Sequence, residues 1–410
     1  MLDKVFFFYY EHRQKKKRML IFSRLKEIIV KRESEEITPA SKGKCLISLN
    51  IIFFGLFIVF LFGLTGCSGR GAKYNYINYE KLKLPDKSLK LRSNVINKFE
   101  INWGSELEII GDYLLLADSK ADEIIKIIDL KTNDLIKSFG RLGQGPDEFI
   151  GLSQIIPDTE EKVAFWAYDI TTRNLKKFNL EAIFNDNFYP EKVIVMSASK
   201  SGLPLRLTMN GNGKILATGY FFKDRIGIYD LDGNYIRGIG KVPVKLRDER
   251  FAPQHSHGFD GHLTFNDGTQ EIFVATRLGS IVERYSLHGN LISTYTGPDL
   301  FFPEYEIVPA GDYYTMTYNK KTRFGYLDID YSRALNEIFL LYSGEYQFNQ
   351  KKIAANYSDT IYIFDVDKES IIEQIKLDRK ILNMTLSHDG SAIFGLSESG
   401  DILKFKYDTN

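Results

Sequence analysis

The segment IGIYDLDGNYIRGIG (residues 226–240) carries the pattern that decides the fold. Its two halves alternate between apolar and polar residues, and they flank Gly233-Asn234, a dipeptide typical of tight hairpin turns. The segment SLHGNLISTYTG (residues 286–297) repeats this arrangement. Each segment therefore predicts two antiparallel strands joined by a short turn.

The first strand of this hairpin belongs to a motif that occurs six times along the chain. The motif has an aliphatic residue, two spacers, an aromatic or aliphatic residue, and then a small polar or charged residue. Its copies are IKIID ending at Asp129, LKKFN at Asn179, IGIYD at Asp230, VERYS at Ser286, IYIFD at Asp365 and ILKFK at Lys406. Successive copies lie 50, 51, 56, 79 and 41 residues apart. Most of these intervals match one four-stranded propeller blade with its loops.

The 79-residue interval leaves the number of blades open. It holds either an insertion around FFPEYEIVPAGDYYTMTYN (residues 301–319), which gives six blades, or a seventh degenerate blade. The C-terminal unit, residues 382–407, is one strand short, and we expect a strand from residues 89–101 to complete it and close the ring. No stretch after Cys67 has sustained helical periodicity, so the predicted class is all-β, a radial β-propeller.

An export signal precedes the repeats. IIFFGLFIVFLFGL (residues 51–64) is an unbroken apolar run that follows Lys42 and Lys44. As a helix it would rise about 21 Å, short of the hydrocarbon core of about 30 Å, so it fits the apolar region of a signal peptide. The alternative is an uncleaved anchor extended back through Leu46. Cys45 and Cys67 are the only cysteines, so residues 68–410 have no disulfide.

Residues 64–67, LTGC, resemble the lipobox of bacterial lipoproteins. The resemblance implies cleavage before Cys67 and a lipid on its sulfur, with the folded part outside the cytoplasm. We predict an N-terminal extension at residues 1–41, which a start codon assigned too far upstream would also explain. A lipoprotein signal peptide (42–66), a tether (67–88) and the propeller (89–410) follow.

The segment SFGRLGQGPDEF (residues 138–149) resembles the G-x-G-P-x-E-F signature of the TolB-like six-bladed β-propeller lipoproteins common in Bacteroidetes. FGYLDID (residues 324–330) and IFLLYSGE (residues 338–345) resemble later segments of that family. The resemblance spans roughly residues 107–407 and implies six blades. It implies no ligand, because a fold alone does not define an activity.

The segment QHSHGFDGH (residues 254–262) contains the one group of side chains suited to a metal ion. His255, His257, Asp260 and His262 are side chains that bind Zn²⁺ or another divalent ion. The alternative is an ordinary polar loop between the third and fourth repeats. No other cofactor is predicted.

Two acidic pairs are weaker candidates for cation binding. Asp328 and Asp330 lie two residues apart, so a strand places both on one face, where they could share a cation or simply face solvent. Asp147 and Glu148 follow the glycine-rich loop and are a minor Ca²⁺ alternative. We expect that loop to be a crossover between blades, with its glycines at positive φ and Phe149 packed between the blades.

Composition and motifs exclude several classes of function. Lysine and arginine number 54 against 53 acidic residues, a balance that gives no field for steering nucleic acid. No Gly-Lys-Ser/Thr follows the glycine-rich loop, which excludes a nucleotide-binding loop. The chain has no G-x-S-x-G elbow, and no cysteine follows Cys67, so no catalytic residue is predicted.

The sequence favours a binding or scaffolding module over an enzyme. We expect a propeller anchored to the membrane through Cys67, with an envelope protein, peptide or glycan as partner. The residues after Cys67 lack the acidic run associated with surface display in Bacteroidetes lipoproteins, which favours the periplasmic face of the outer membrane. The alternative is a hydrolase or lyase that acts on a saccharide or peptide at the propeller channel.

Overall fold

The computed structural model describes residues 79–197, 202–244, 248–311, 313–348 and 354–407. The predicted N-terminal extension, signal peptide and lipidation site Cys67 lie outside these ranges, and so does most of the predicted tether. Within the described ranges, every helix is too short or too polar to cross a membrane.

Three short strands begin the described chain, and two antiparallel four-stranded sheets follow. The first three strands are β1 (Glu80–Lys81), β2 (Ser88–Leu91) and β3 (Ser93–Val95). Blade 1 consists of β4 (Gly104–Ile110), β5 (Tyr113–Asp118), β6 (Ile125–Asp129) and β7 (Leu135–Phe139). A crossover pairs β8 (Arg141–Leu142) with β9 (Glu148–Phe149). Blade 2 consists of β10 (Leu152–Pro157), β11 (Ala164–Asp169), β12 (Asn174–Asn179) and β13 (Lys192–Val195), with helix α1 (Leu180–Phe184) before β13.

Two further sheets and a hairpin follow in the same order. Blade 3 consists of β14 (Gly202–Asn210), β15 (Lys214–Phe221), β16 (Ile226–Tyr229) and β17 (Tyr235–Ile239). A 3₁₀ turn (Glu249–Phe251) and helix α2 (Ala252–Gly258) lead into blade 4, which consists of β18 (Gly261–Asn266), β19 (Glu271–Thr276), β20 (Ile281–Ser286) and β21 (Leu291–Thr296). The hairpin is β22 (Glu306–Ala310) and β23 (Tyr313–Thr317).

The last sheet has eight strands and contains two blades. It contains β2 and β3 from the start of the described chain and six further strands. These are β24 (Tyr326–Ser332), β25 (Glu337–Tyr342), β26 (Ser358–Asp365), β27 (Ser370–Leu386), β28 (Ala392–Ser397) and β29 (Ile402–Lys406). The 17-residue β27 belongs to both blades. Its first half pairs with β26, with Ile375 opposite Ile361, and its second half pairs with β28, with Thr385 opposite Phe394. Four blades are therefore separate sheets, and blades 5 and 6 are joined through β27.

The first strands of the six blades form a closed ring. Strands β4, β10, β14, β18, β24 and the second half of β27 each contact the next, and β27 contacts β4. Six apolar clusters fill the spaces between neighbouring blades, and the cluster that packs Leu396 of blade 6 against Leu114 of blade 1 closes the circle. Burial of these side chains between the sheets is the main source of stability.

The N-terminal strands run around the rim of three successive blades. Strand β1 pairs in parallel with β21 of blade 4, and β2 pairs in parallel with β27 at the edge of blade 5. Strand β3 pairs with β29 and supplies the fourth strand of blade 6. The predicted closing strand from residues 89–101 is confirmed. Contacts with the propeller begin at Glu80, earlier than the predicted boundary at Leu89.

The six sequence motifs occupy equivalent positions, because each lies in the third strand of its blade. The Gly-Asn turns join third to fourth strands, with φ of 80° at Gly233 and 99° at Gly289. The long interval holds the hairpin β22–β23 rather than a seventh blade. One prediction is wrong. The histidine-rich segment is not a loop throughout, because α2 covers residues 252–258, and its second residue is Pro253, a residue favoured in the first helical turn.

Candidate functional site

The six innermost strands enclose a central channel, and each contributes a polar side chain at the same level. This ring consists of Glu106 on β4, Gln154 on β10, Arg206 on β14, His262 on β18, Asp328 on β24 and Asn383 on β27. The charges of Arg206 on blade 3 and Asp328 on blade 5 both act on Glu106 on blade 1. Side chains from non-adjacent blades therefore interact electrostatically across the channel.

A second polar level lies two residues further along these strands. Its polar members are Glu108, Thr208, Thr264, Asp330 and Thr385. The intervening residues Leu107, Leu207 and Leu263 are buried between blades. This alternation follows from the two-residue period of a strand, which sends successive side chains to opposite faces.

Irregular pairing places several of the ring side chains. The register between the first and second strands shifts immediately before Glu106, Gln154, Arg206 and Asp328. A β-bulge bends its strand and redirects the side chain that follows. The same irregularity therefore turns a polar side chain towards the channel axis in each of these four blades.

Some channel side chains accept hydrogen bonds from backbone N–H groups of the neighbouring blade. The carboxylate of Asp328 accepts a hydrogen bond from the Met384 N–H (2.9 Å), and that of Asp330 accepts one from the Leu386 N–H (3.0 Å). Gln154 accepts from the Leu207 N–H at 2.7 Å. Innermost strands have backbone groups without a partner strand, and buried groups of this kind need partners. These contacts have a structural role.

His262 and Asp328 form a contact in the channel. Nδ1 of His262 lies 3.0 Å from Oδ1 of Asp328. Burial and the positive charge of Arg206 lower the pKa of His262, although the Asp328 carboxylate opposes this change. The imidazole is therefore neutral at pH 7, and its Nδ1–H donates to the carboxylate.

Three channel carboxyl groups retain protons far more readily than exposed ones. Burial, reinforced by the charge of Asp328, raises the pKa of Glu106 to about 8. Burial and the same charge raise the pKa of Asp330 to about 7. Burial and the charge of Asp330 raise the pKa of Glu108 well above its usual range. At neutral pH Glu106 is therefore mainly a neutral acid that can donate a hydrogen bond.

Two ring side chains have unused hydrogen-bonding capacity. Arg206 makes no hydrogen bond or ion pair with any described residue. Asn383 is 5% exposed, and its Oδ1 has no donor among the described residues, although Nδ2 donates to the Ser105 carbonyl at 3.3 Å. A buried polar atom without a partner, such as Oδ1 of Asn383, is rare and points to a strained or functional position.

The predicted metal ligands do not form one group. His255 and His257 lie two apart on α2, a spacing that sends their side chains to opposite sides of a helix. Nδ1 of His255 is 2.7 Å from the Tyr305 hydroxyl oxygen. The ring of His257 packs 4.2 Å from that of Tyr220.

The other two candidates point elsewhere. Asp260 accepts a hydrogen bond from the Thr218 hydroxyl at 3.1 Å, whereas His262 lies in the channel. Across the described ranges, no three His, Cys, Asp or Glu side chains are arranged to hold a metal ion. The spacing in the sequence is therefore misleading, because a helix and a strand separate the four side chains.

The glycine-rich loop is a crossover between blades 1 and 2. Phe149 is fully buried there and its ring centroid lies 6.1 Å from that of Phe178, so its predicted packing is confirmed. Gly140 has φ of 73°, but Gly143 does not have positive φ. A Cβ at Gly143 would lie 2.0 Å from Oε2 of Glu148, so a larger residue there would displace the Glu148 carboxylate.

Glu148 uses one oxygen of its carboxylate within the glycine-rich loop. Its Oε2 accepts a hydrogen bond from the Gly145 N–H at 2.8 Å, which closes the loop on itself. Asp328 and Asp330, by contrast, share a strand face as predicted, and that face borders the channel rather than open solvent.

Sequence reasoning missed Glu106, Gln154, Arg206 and Asn383. A signal for them does exist, because each is a polar residue in the first strand of its repeat. It is weak in any one strand and becomes visible only when the six repeats are aligned on their third strands.

Six blades around a polar channel define a six-bladed β-propeller. The chain belongs to the TolB-like 6-blade propeller-like family, whose model matches residues 85–389. The family predicted from residues 138–149 is thereby confirmed. A similar solved structure is a member of the DUF4221 family from Bacteroides vulgatus ATCC 8482, with 10% sequence identity and a TM-score of 0.53. The match covers 82% of this chain and 98% of that one. No functionally curated protein matches the sequence.

Proposed function

We propose that this protein is a lipid-tethered binding module of the cell envelope, and that it takes a ligand or a segment of a partner at the central channel. The observation that carries the proposal is the guanidinium of Arg206 in the polar ring, which makes no hydrogen bond or ion pair with any described residue. Gln154 and Asp330 are explained by their hydrogen bonds to backbone N–H groups of the neighbouring blade, whereas Arg206 has no such partner among the residues that the structure describes. Channels with a few convergent polar groups are common binding sites.

The channel is tested by blocking it without touching the polar ring. Full-length protein is screened against envelope glycans and peptides, and each ligand found is titrated against Thr208→Trp, whose indole would fill the channel. Val193→Trp is the matched control, because Val193 is 46% exposed on the outer strand β13. We expect Thr208→Trp to abolish binding and Val193→Trp to retain it. Equal binding by both variants would refute a channel site.

The tether is proposed from Cys67 and the apolar run before it. Wild-type protein should fractionate with the outer membrane, and Cys67→Ser should lose its lipid and be released or remain as the uncleaved precursor. Protease added to intact cells should leave the propeller uncut if it faces the periplasm. Unchanged mass and membrane fractionation of Cys67→Ser would contradict lipidation, and digestion in intact cells would contradict the periplasmic orientation.

A second candidate is a hydrolase or lyase that acts on a saccharide or peptide. The neutral carboxyl group of Glu106 and the neutral imidazole of His262 favour it, because one could donate a proton and the other accept one. Turnover of an envelope glycan or peptide by wild type, lost in Glu106→Gln with the fold intact, would establish this activity. Turnover that survives the substitution would exclude Glu106 as its acid.

A further inference from the structure

We propose that Arg206 anchors a carboxylate, so that the channel is specific for a carboxylate-bearing saccharide or peptide terminus. This inference rests on the proposed binding function and names its ligand class. Some polar groups in the channel already have hydrogen-bond partners within the protein, and others remain available to a ligand.

The acidic side chains have little spare capacity to accept hydrogen bonds. Both oxygens of Asp328 accept, one facing His262 and the other the Met384 N–H. Asp330 accepts from two backbone N–H groups, those of Tyr331 and Leu386. The channel is therefore poorly prepared for a cation, even though its walls contain four carboxyl groups.

The unused capacity consists mainly of donors. A guanidinium has five N–H groups in a planar fork, and none of those of Arg206 has an acceptor among the described residues. Two parallel N–H groups match the two oxygens of a carboxylate, an arrangement that is both strong and directional. A ligand carboxylate would supply the hydrogen-bond acceptors that the Arg206 guanidinium lacks among the described channel residues.

The surroundings favour a singly charged anion. The Asp328 carboxylate acts across the channel and would repel a second negative charge, which disfavours a phosphate dianion. Glu106, in its protonated form, can donate to the bound carboxylate from the wall that blade 1 forms. The ligand is therefore held between a guanidinium on blade 3 and a carboxylic acid on blade 1.

This arrangement gives binding a definite pH dependence. The charged and titratable groups that face Glu106 are Asp328 on β24, Arg206 on β14 and Glu108 on its own strand, together with the Asn383 amide on β27. As pH rises through about 8, Glu106 loses its proton and repels the ligand carboxylate. Affinity should therefore fall above that pH.

The test uses two matched pairs of probes on the full-length chain. Glucuronic acid is compared with glucose, and tri-alanine with its C-terminal amide, by titration calorimetry at neutral pH. We expect one acidic probe to bind, and its neutral counterpart to bind at least about tenfold more weakly. Which acidic probe binds distinguishes a saccharide carboxylate from a peptide terminus.

Variants assign the carboxylate to Arg206. Arg206→Gln should weaken binding of the acidic probe at least about tenfold. Arg206→Lys should retain part of the affinity, because it keeps the positive charge but loses the planar pair of N–H groups. Arg92→Gln is the charge-matched control, since Arg92 is exposed between β2 and β3. Circular dichroism and thermal unfolding verify that each variant is folded.

The inference is overturned if neither acidic probe binds up to about 10 mM, a concentration at which even weak millimolar sites are detected. Equal binding by wild type and Arg206→Gln, or tighter binding of inorganic phosphate, would also overturn it. A neutral ligand whose binding is lost in Thr208→Trp but retained in Arg206→Gln would refute the carboxylate specificity. It would leave the proposed binding function intact. Ligand binding that is unchanged in Thr208→Trp would refute the proposal that the binding site lies in the channel.

Discussion

Arg225 and Glu283 form an ion pair in the interior that ties blade 3 to blade 4. Nε of Arg225 lies 2.5 Å from Oε2 of Glu283, and both side chains are almost completely buried. The guanidinium also donates to the Thr276 hydroxyl at 3.0 Å, and the Tyr285 hydroxyl donates to the other Glu283 oxygen at 2.9 Å. Removal of one partner would leave a buried charge without compensation.

Glu283→Gln should therefore lower the free energy of unfolding by about 3 kcal/mol, measured by urea denaturation. Glu249→Gln is the control, because Glu249 is exposed and pairs with the exposed Lys223. Its effect should be under about 1 kcal/mol, as is usual for surface pairs. Similar small losses in both variants would show that the buried pair contributes no specific stability.

Glu106 should make stability depend on pH. Its pKa is about 8 in the folded protein against 4.5 for an unperturbed group, so between these values the folded chain holds a proton that the unfolded chain has released. The free energy of unfolding therefore falls as pH rises through this window. Glu106→Gln removes that titration, so its free energy of unfolding should rise relative to that of wild type by on the order of 4 kcal/mol between pH 4.5 and 8.5.

The comparison between the two proteins matters, because Glu108 and Asp330 titrate in both of them. Urea denaturation of wild type and Glu106→Gln at several pH values gives the difference directly. A difference that stays constant with pH would mean that Glu106 ionises normally in the folded channel.

At the scale of elements, the third strands of the blades are the part that the sequence defines best. They lie inside their sheets and combine an aliphatic core with a polar end, as in residues 125–129 and 226–230. The first strands were not recognised as channel walls. Each mixes polar channel residues with buried apolar ones, and register shifts near Glu106 and Arg206 interrupt the regular alternation.

The three N-terminal strands act together as a strap around blades 4, 5 and 6. A chain that begins at residue 83 lacks β1 only, whereas one that begins at residue 97 also lacks β2 and β3. Relative to a chain that begins at residue 79, the first should lose only about 2 °C in Tm and the second more than about 10 °C. The larger loss follows because blade 6 would have an open edge and the buried side chains of Leu91 and Ile96 would be missing from the core.

Thermal unfolding followed by circular dichroism measures both differences. Equal Tm values for the chains that begin at residues 79 and 97 would mean that the strap does not close the propeller.

At the scale of the whole molecule, ring closure creates the channel. Residues such as Glu106, Arg206 and Asn383 are far apart in the chain and meet only because six inner strands surround one axis. Repeat spacing could predict the propeller, since each blade is a local unit. It could not predict which side chains share the channel, because the register of each inner strand decides this.

The histidine-rich segment illustrates the same limit. Four candidate ligands within eight residues suggested one site, but α2 and β18 turn His255 and His262 towards different neighbours. Local spacing defines a site only when the backbone between the side chains is known.

Binding in the channel is best tested by a crystal structure of the protein with its bound ligand. We expect ligand density enclosed by the six inner strands, with a carboxylate against the guanidinium of Arg206 and within reach of Glu106. Ligand density confined to the outer strands or to the hairpin β22–β23, with an empty channel, would contradict it.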